Sequence, residues 1–197
     1  LPGLERLAAE LGNVTLVPGD VLALDLERAT GGEPFHVYGS LPYYITSPIL
    51  MRLFEHAARL RSVSVVVQLE VAARMTARPG RREYGYLSAV TQFYTQPEIA
   101  LRLPPGAFRP RPKVASALVR MRLPGQRAEL GVREEAAFLK FVGDCFAQKR
   151  KTLLNNLRPH FAAARIEAAL VAARLPPQAR AEELTLPQFA RLFGELQ

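Results

Sequence analysis

Residues 62–69 read Ser-Val-Ser-Val-Val-Val-Gln-Leu, a nearly continuous apolar run. The run is too short for a core helix and rich in β-branched residues, so it predicts a strand. Its lack of alternation predicts burial on both faces, as in sheets covered by helices. The flanks agree. Ile49, Leu50, Leu53, Phe54 and Ala57 recur at helical spacing after Ser47-Pro48, a cap followed by a first-turn proline. Glu70–Ala77 and Tyr84–Tyr94 read as further helices. Phe35–Tyr38 and the short Val14–Val17 read as strands, the latter stopped by Pro18-Gly19-Asp20. Ile99–Leu103 and Ala115–Leu123 are β-like, Glu27–Glu33 is a polar loop, and Pro2–Leu11 is a helix ended by Gly12-Asn13. Strands alternating with helices predict an α/β layer with a largely parallel sheet.

After Pro124-Gly125 the β pattern stops. Helical spacing runs through Glu134–Phe146, Lys149–Leu157, Arg165–Leu175 and Pro187–Leu196. The expected organisation is an α/β domain over 1–126 and a small all-helical domain over 127–197. The 197 residues suffice for both cores. No apolar run approaches the roughly 18 residues of a membrane span, and the opening Leu-Pro-Gly-Leu-Glu-Arg is not a signal peptide. One cysteine, Cys145, excludes a disulfide framework and a cysteine zinc site. His36, His56 and His160 have no metal-ligand spacing, so no metal is expected. The expected location is cytoplasmic.

The formal net charge is +8, which points to a polyanionic partner. Between Arg74 and Arg122 ten basic residues face only Glu83 and Glu98, so this segment matches the whole excess. Arginine supplies 22 of the 26 basic side chains, and its planar fork suits phosphates and base faces.

Four segments could carry chemistry. Ser40-Leu41-Pro42-Tyr43 follows a strand, where ligands of α/β sheets sit, and Tyr43-Tyr44 could stack a nucleobase. Asp20 is a strand-end carboxylate that could bind a cofactor or simply close a turn. Residues 103–114 hold four prolines and present Phe108 beside Arg109, Arg111 and Lys113. A stiff loop with one ring among cations suits a base lifted from an RNA stack. Lys149-Arg150-Lys151, with nearby amides, suits phosphate contacts. There is no P-loop, no serine-hydrolase elbow and no Gly-x-Gly-x-x-Gly.

In order, Gly39-Ser40-Leu41-Pro42-Tyr43-Tyr44-Ile45-Thr46-Ser47-Pro48, Gln68-Leu69-Glu70-Val71-Ala72, Tyr84-Gly85-Tyr86-Leu87-Ser88, the Pro105–Ala117 loop, Gln148–Thr152 and Arg180–Leu184 span nearly the whole chain. This series resembles the small-subunit rRNA adenine N6-dimethyltransferases of the kasugamycin-sensitivity type. The resemblance implies a class I, Rossmann-like methyltransferase sheet followed by a small helical domain. It implies S-adenosylmethionine as methyl donor and two adjacent adenosines in a hairpin near the 3′ end of small-subunit rRNA as acceptors. The expected partner is that rRNA or the pre-ribosomal small subunit, bound by a monomer. It further implies that position 40 and the backbone at Leu41 or Pro42 accept the N6 hydrogens. Tyr43 and Phe108 would hold the base, and Asp20 would contact the donor's adenine.

The sequence departs from the family pattern twice. Position 40 is Ser where the family has Asn; its hydroxyl accepts a hydrogen bond but is shorter than a carboxamide. The family also opens with strand–helix units bearing a Gly-rich donor loop, which need roughly 60 residues. That loop has no counterpart here, so the α/β half reads as incomplete at its N-terminus, with an unpaired sheet edge. The rival reading is a non-catalytic RNA-binding ribosome-assembly factor. A DNA-binding transcription factor on the same scaffold is a third.

Overall fold

A computed structural model describes residues 2–197 of the chain. Strands β1 (Phe35–Ser40), β2 (Leu60–Gln68), β3 (Gln96–Leu103) and β4 (Ser116–Arg122) form one sheet in the order β1-β2-β4-β3. The β1–β2 pairing is parallel, and β4 lies antiparallel to both β2 and β3. The sheet is therefore mixed, against the expectation of a largely parallel one. No α-helix lies between β3 and β4, and a parallel pair needs a crossover that usually contains one.

The valine run forms β2, but only one of its faces is fully buried. Val63, Val65 and Val67 are closed off in the core, while Ser62, Ser64 and Val66 stay half-buried. Serine tolerates that face because its hydroxyl still reaches partners; Ser62 lies 2.7 Å from a ring nitrogen of His36 on β1.

Val14–Val17 is not a strand. Its residues are exposed and join no ladder; an extended segment with no neighbour has nowhere to place its backbone hydrogen bonds except water. Among the described residues β1 pairs on one side only, so it is a sheet edge. The helix α1 (Pro2–Leu11) forms as expected and stops where Gly12 takes φ +68°. Its Leu4, Leu7 and Leu11 are about half exposed. Part of the expected 27–33 loop winds into a single turn, α2 (Leu26–Ala29), capped by the Asp25 carboxylate on Arg28 N–H at 3.0 Å.

One face of the sheet is packed by α3 (Thr46–Phe54), α4 (Leu69–Thr76) and α5 (Tyr86–Tyr94). Ser47 sits inside the first turn of α3 rather than capping it; Ile45 is the cap residue and makes no side-chain cap bond. The helices α6 (Glu135–Cys145), α7 (Leu153–Leu157), α8 (Ala163–Ala172) and α9 (Leu186–Leu196) follow. The expected helix over 149–157 is shorter than its pattern, because residues 149–151 belong to the preceding turn.

Buried residues fall into two clusters. One surrounds the sheet and the other fills the space between α6, α7, α8 and α9. The two meet at α5, whose Leu87 and Val90 belong to the first and Ala89 and Phe93 to the second. Gly125 seals this junction. It donates to the Tyr94 carbonyl at 2.8 Å. A Cβ there would lie 2.6 Å from the carbonyl oxygens of Gln92 and Phe93 and would also strike Thr95 N.

Candidate active site and nucleic-acid interface

Strand register decides which loops can meet. Ser40 pairs with Val66, Gln68 with Ser116, and Ser116 with Leu103. The C-terminal ends of β1, β2 and β3 and the start of β4 therefore lie along one edge of the sheet. The Leu41–Ile45 turn, the start of α4 and the 104–115 loop all emerge there.

Ser116 is fully buried and is the joint of this edge. Its hydroxyl lies 2.7 Å from the Tyr43 hydroxyl, which tethers the Tyr43 ring from its far end. The adjacent Ala115 carbonyl accepts Leu69 N–H at 2.9 Å, linking β4 to the start of α4. Sequence reading placed Ser116 within a motif but gave it no role; a small hydroxyl at the start of a strand, opposite a loop tyrosine, was the available signal.

Leu41 N–H donates to the Val66 carbonyl at 3.0 Å, which extends the β1–β2 ladder past Ser40. The Pro42 carbonyl accepts from Ile45 N–H at 3.3 Å and from Thr46 Oγ1 at 3.1 Å. Both of its lone pairs are thus engaged. Among the described residues no hydrogen bond reaches the Leu41 carbonyl. Ser40 is exposed, and Tyr44 stands 86% exposed. Phe108 is half-buried and follows a 3-10 turn, Pro105–Ala107, while Arg109, Arg111 and Lys113 are exposed on the same loop.

Asp20 is exposed and lies outside this constellation. Its Oδ1 accepts Leu22 N–H at 2.9 Å and closes a turn. Among the described residues no hydrogen bond joins it to Ser40 or to the Leu41–Ile45 turn.

The Lys149-Arg150-Lys151 run is held in a different place. Asn156 is buried, and its amide donates to the Cys145 carbonyl at 2.6 Å and the Gln148 carbonyl at 3.2 Å while accepting Gln148 N–H at 3.2 Å. This amide builds the turn that presents the three cations, rather than facing phosphate itself. Lys149 Nζ donates to the Arg82 carbonyl at 2.6 Å, and Gly80 N–H donates to the Glu182 carbonyl at 2.7 Å. These bonds join the Arg78–Arg82 turn to the helical part, so cations from both lie side by side.

A cleft of about 660 Å³ opens between α4, α5 and the end of α6, lined by Glu70, Arg74, Arg82, Glu83, Tyr86 and Lys149. On the same cleft Tyr84 packs edge-on against Phe146, centroids 5.9 Å apart. Ser88 Oγ bonds the Arg74 carbonyl, and Gln92 Nε2 donates to the Ala77 carbonyl at 2.8 Å, so α5 caps the end of α4 and stiffens one wall. Not all of the basic segment serves this edge. Arg120 and Arg122 both hold the Glu98 carboxylate at 2.7 Å, and Arg122 pairs with Gln96 at the opposite end of the sheet. Those two bonds keep the Glu98 carboxyl below its usual range.

Among the described residues no cluster of three or more His, Cys, Asp or Glu could hold a metal, and no helix is long and apolar enough to cross a membrane.

Known proteins are similar to this chain in sequence and in fold. The family described as "Ribosomal RNA adenine dimethylase" matches residues 4–197. The chain is 44% identical over 198 residues to the ribosomal RNA small subunit methyltransferase A of Acidobacterium capsulatum, covering all of this chain and 70% of that protein. It is 41% identical over 203 residues to the protein of that name from Koribacter versatilis, covering 95% of this chain and 70% of the relative. Among solved structures, the 23S rRNA methyltransferase ErmE superposes with a TM-score of 0.70 at 28% identity, over 99% of this chain and 77% of that one. A dimethyladenosine transferase from Plasmodium falciparum superposes at 0.74 with 20% identity, over 98% and 76%, and so shares the Rossmann-like methyltransferase fold. A match over nearly every residue, with about 40% identity to several relatives, leads to one conclusion: the chain belongs to the ribosomal RNA adenine dimethylase family.

Proposed function

We propose that the protein dimethylates the N6 amino groups of two adjacent adenosines in a hairpin near the 3′ end of small-subunit rRNA, using S-adenosylmethionine, in the course of ribosome assembly in the cytoplasm. The observation that carries the reading is the sheet edge itself. It brings a strand-end acceptor at Ser40, the unengaged Leu41 carbonyl and the tethered Tyr43 ring to the side from which the Phe108 loop emerges.

The acceptor nitrogen sets the chemical problem, because its lone pair is delocalised into the adenine ring. Ser40 Oγ and the Leu41 carbonyl would accept hydrogen bonds from its N–H groups and favour a pyramidal nitrogen whose lone pair is free to attack, the surplus N6 proton passing to solvent as the new N–C bond forms. The Pro42 carbonyl is excluded from this part by its bonds to Ile45 and Thr46. Tyr43 and Phe108 hold the flipped base between rings, which fixes its approach. Asp20 fits the donor's adenine end, since it is exposed and one carboxylate oxygen is left outside its turn. When bound, S-adenosylmethionine supplies an electrophilic methyl group. Arg109, Arg111 and Lys113 on one loop, and Lys149, Arg150 and Lys151 on the other, contact RNA phosphates.

Tritium transfer tests the reading against the non-catalytic assembly factor. Undermethylated small subunits are incubated with the protein and methyl-tritiated donor. The proposal expects label in the small-subunit RNA. Calorimetric binding of the donor with no label transferred would leave the assembly-factor reading in place.

A further inference from the structure

Apart from Lys149, the residues lining the cleft between α4, α5 and the end of α6 have no part in the methyl transfer derived above, yet the cleft is of a size that suits a nucleotide. It is built around Tyr86. Gly143, in the middle of α6, carries no side chain; a Cβ there would lie 3.5 Å from one edge atom of the Tyr86 ring and 3.9 Å from two more. The ring thus lies over the middle of α6, at ordinary packing distance from Gly143. Tyr86 is 36% exposed, and it lines the cleft. Its partial burial pushes the phenol above its ordinary pKa.

Charge completes the cleft. Lys149 spends one of its three N–H donors on the Arg82 carbonyl and keeps two for an anion. Arg74 and Arg82 add guanidinium groups, and Glu70 and Glu83 add acceptors suited to exocyclic amino groups of bases. Position matters as well. Glu70 directly follows Leu69, which is bonded to Ala115 beside the Ser116 that tethers Tyr43. The cleft is therefore next along the surface from the platform proposed for the methylated base.

We propose that this cleft is a second nucleotide subsite, in which Tyr86 stacks an unpaired base flanking the methylated adenosine while Lys149 and Arg82 hold its phosphate. The inference rests on the proposed RNA substrate and specifies how that substrate is held. A base on the Tyr86 ring would fix the strand's register, so that the adjacent adenosines enter the platform in turn.

A protein–RNA binding cycle tests it. The probe is a fluorescently labelled hairpin carrying the adenosine pair, bound at fixed salt, together with hairpins that have a single abasic nucleotide at each position beside the pair. Wild-type protein is expected to lose about tenfold in affinity when one particular base is removed. Tyr86→Ala should show the same loss on the intact hairpin and no further loss on that abasic one. Tyr86→Leu keeps an apolar body on Gly143 and should behave like Tyr86→Ala with an unchanged circular dichroism spectrum, while Tyr86→Phe should match wild type. If wild type binds the hairpin but no abasic site weakens it, or if Tyr86→Leu responds to the abasic sites as wild type does, the subsite is overturned and the methylation reading stands. If wild type fails to bind the intact hairpin, the methylation reading falls and this inference falls with it.

Discussion

Tyr84 is 1% exposed, and burial holds its phenol well above the ordinary value near 10. The neutral form is therefore favoured in the folded protein, while an unfolded chain ionises at the ordinary value. That contribution to stability is complete below about pH 10 and is lost as pH rises above it, because proton release then favours unfolding. Tyr84→Phe should leave the denaturant midpoint at pH 7 nearly unchanged and flatten its fall between about pH 10 and 11.5. Equal alkaline slopes in the two proteins would contradict this. At the site, Ser40 offers a hydroxyl acceptor that is shorter than a carboxamide. Ser40→Asn should raise the single-turnover methylation rate by about five- to tenfold, the worth of one better-placed hydrogen bond. A slower variant would show that the hydroxyl is matched to this site. Ser40, Tyr43 and Phe108 stood out in the sequence because polar and aromatic residues followed strands or sat among prolines. Ser116 and Asn156 did not, because what they do depends on partners 73 and 8 residues away in the chain.

Among the elements, the end of α8 is the one that works against its own residue. Arg174 has φ +57°, the left-handed region that disfavours side chains, because Leu175 N–H closes onto the Leu170 carbonyl at 2.8 Å. Arg174→Gly should raise the unfolding free energy by about 0.5–1 kcal/mol, read as a higher denaturant midpoint. Element existence was largely legible, since apolar spacing marks helix faces wherever a core exists to receive them. Pairing was not. Val14–Val17 has strand composition, but strands are stabilised by neighbours, and it has none among the described residues. The direction of β4 was readable in principle. A proline loop with no α-helix joins it to β3, which favours antiparallel neighbours.

For the molecule as a whole, charge is distributed by function rather than by segment. The sequence concentrates ten cations between Arg74 and Arg122, but the fold spends Arg120 and Arg122 on Glu98. It sends the others toward the Phe108 loop and toward the ridge shared with Lys149–Lys151. Replacing Arg109, Arg111 and Lys113 with Gln should therefore make the negative slope of log affinity for RNA against log salt shallower by about two to three. An unchanged slope would remove the loop from the interface. The central claim concerns what is made, and where. Small-subunit RNA treated with the protein and S-adenosylmethionine, then digested and read by mass spectrometry, should carry two methyl groups on N6 of each of two adjacent hairpin adenosines, and Phe108→Ala should abolish most of that product. Methyl groups on other nucleotides, or an unmodified pair on RNA that the protein demonstrably binds together with the donor, would contradict the account.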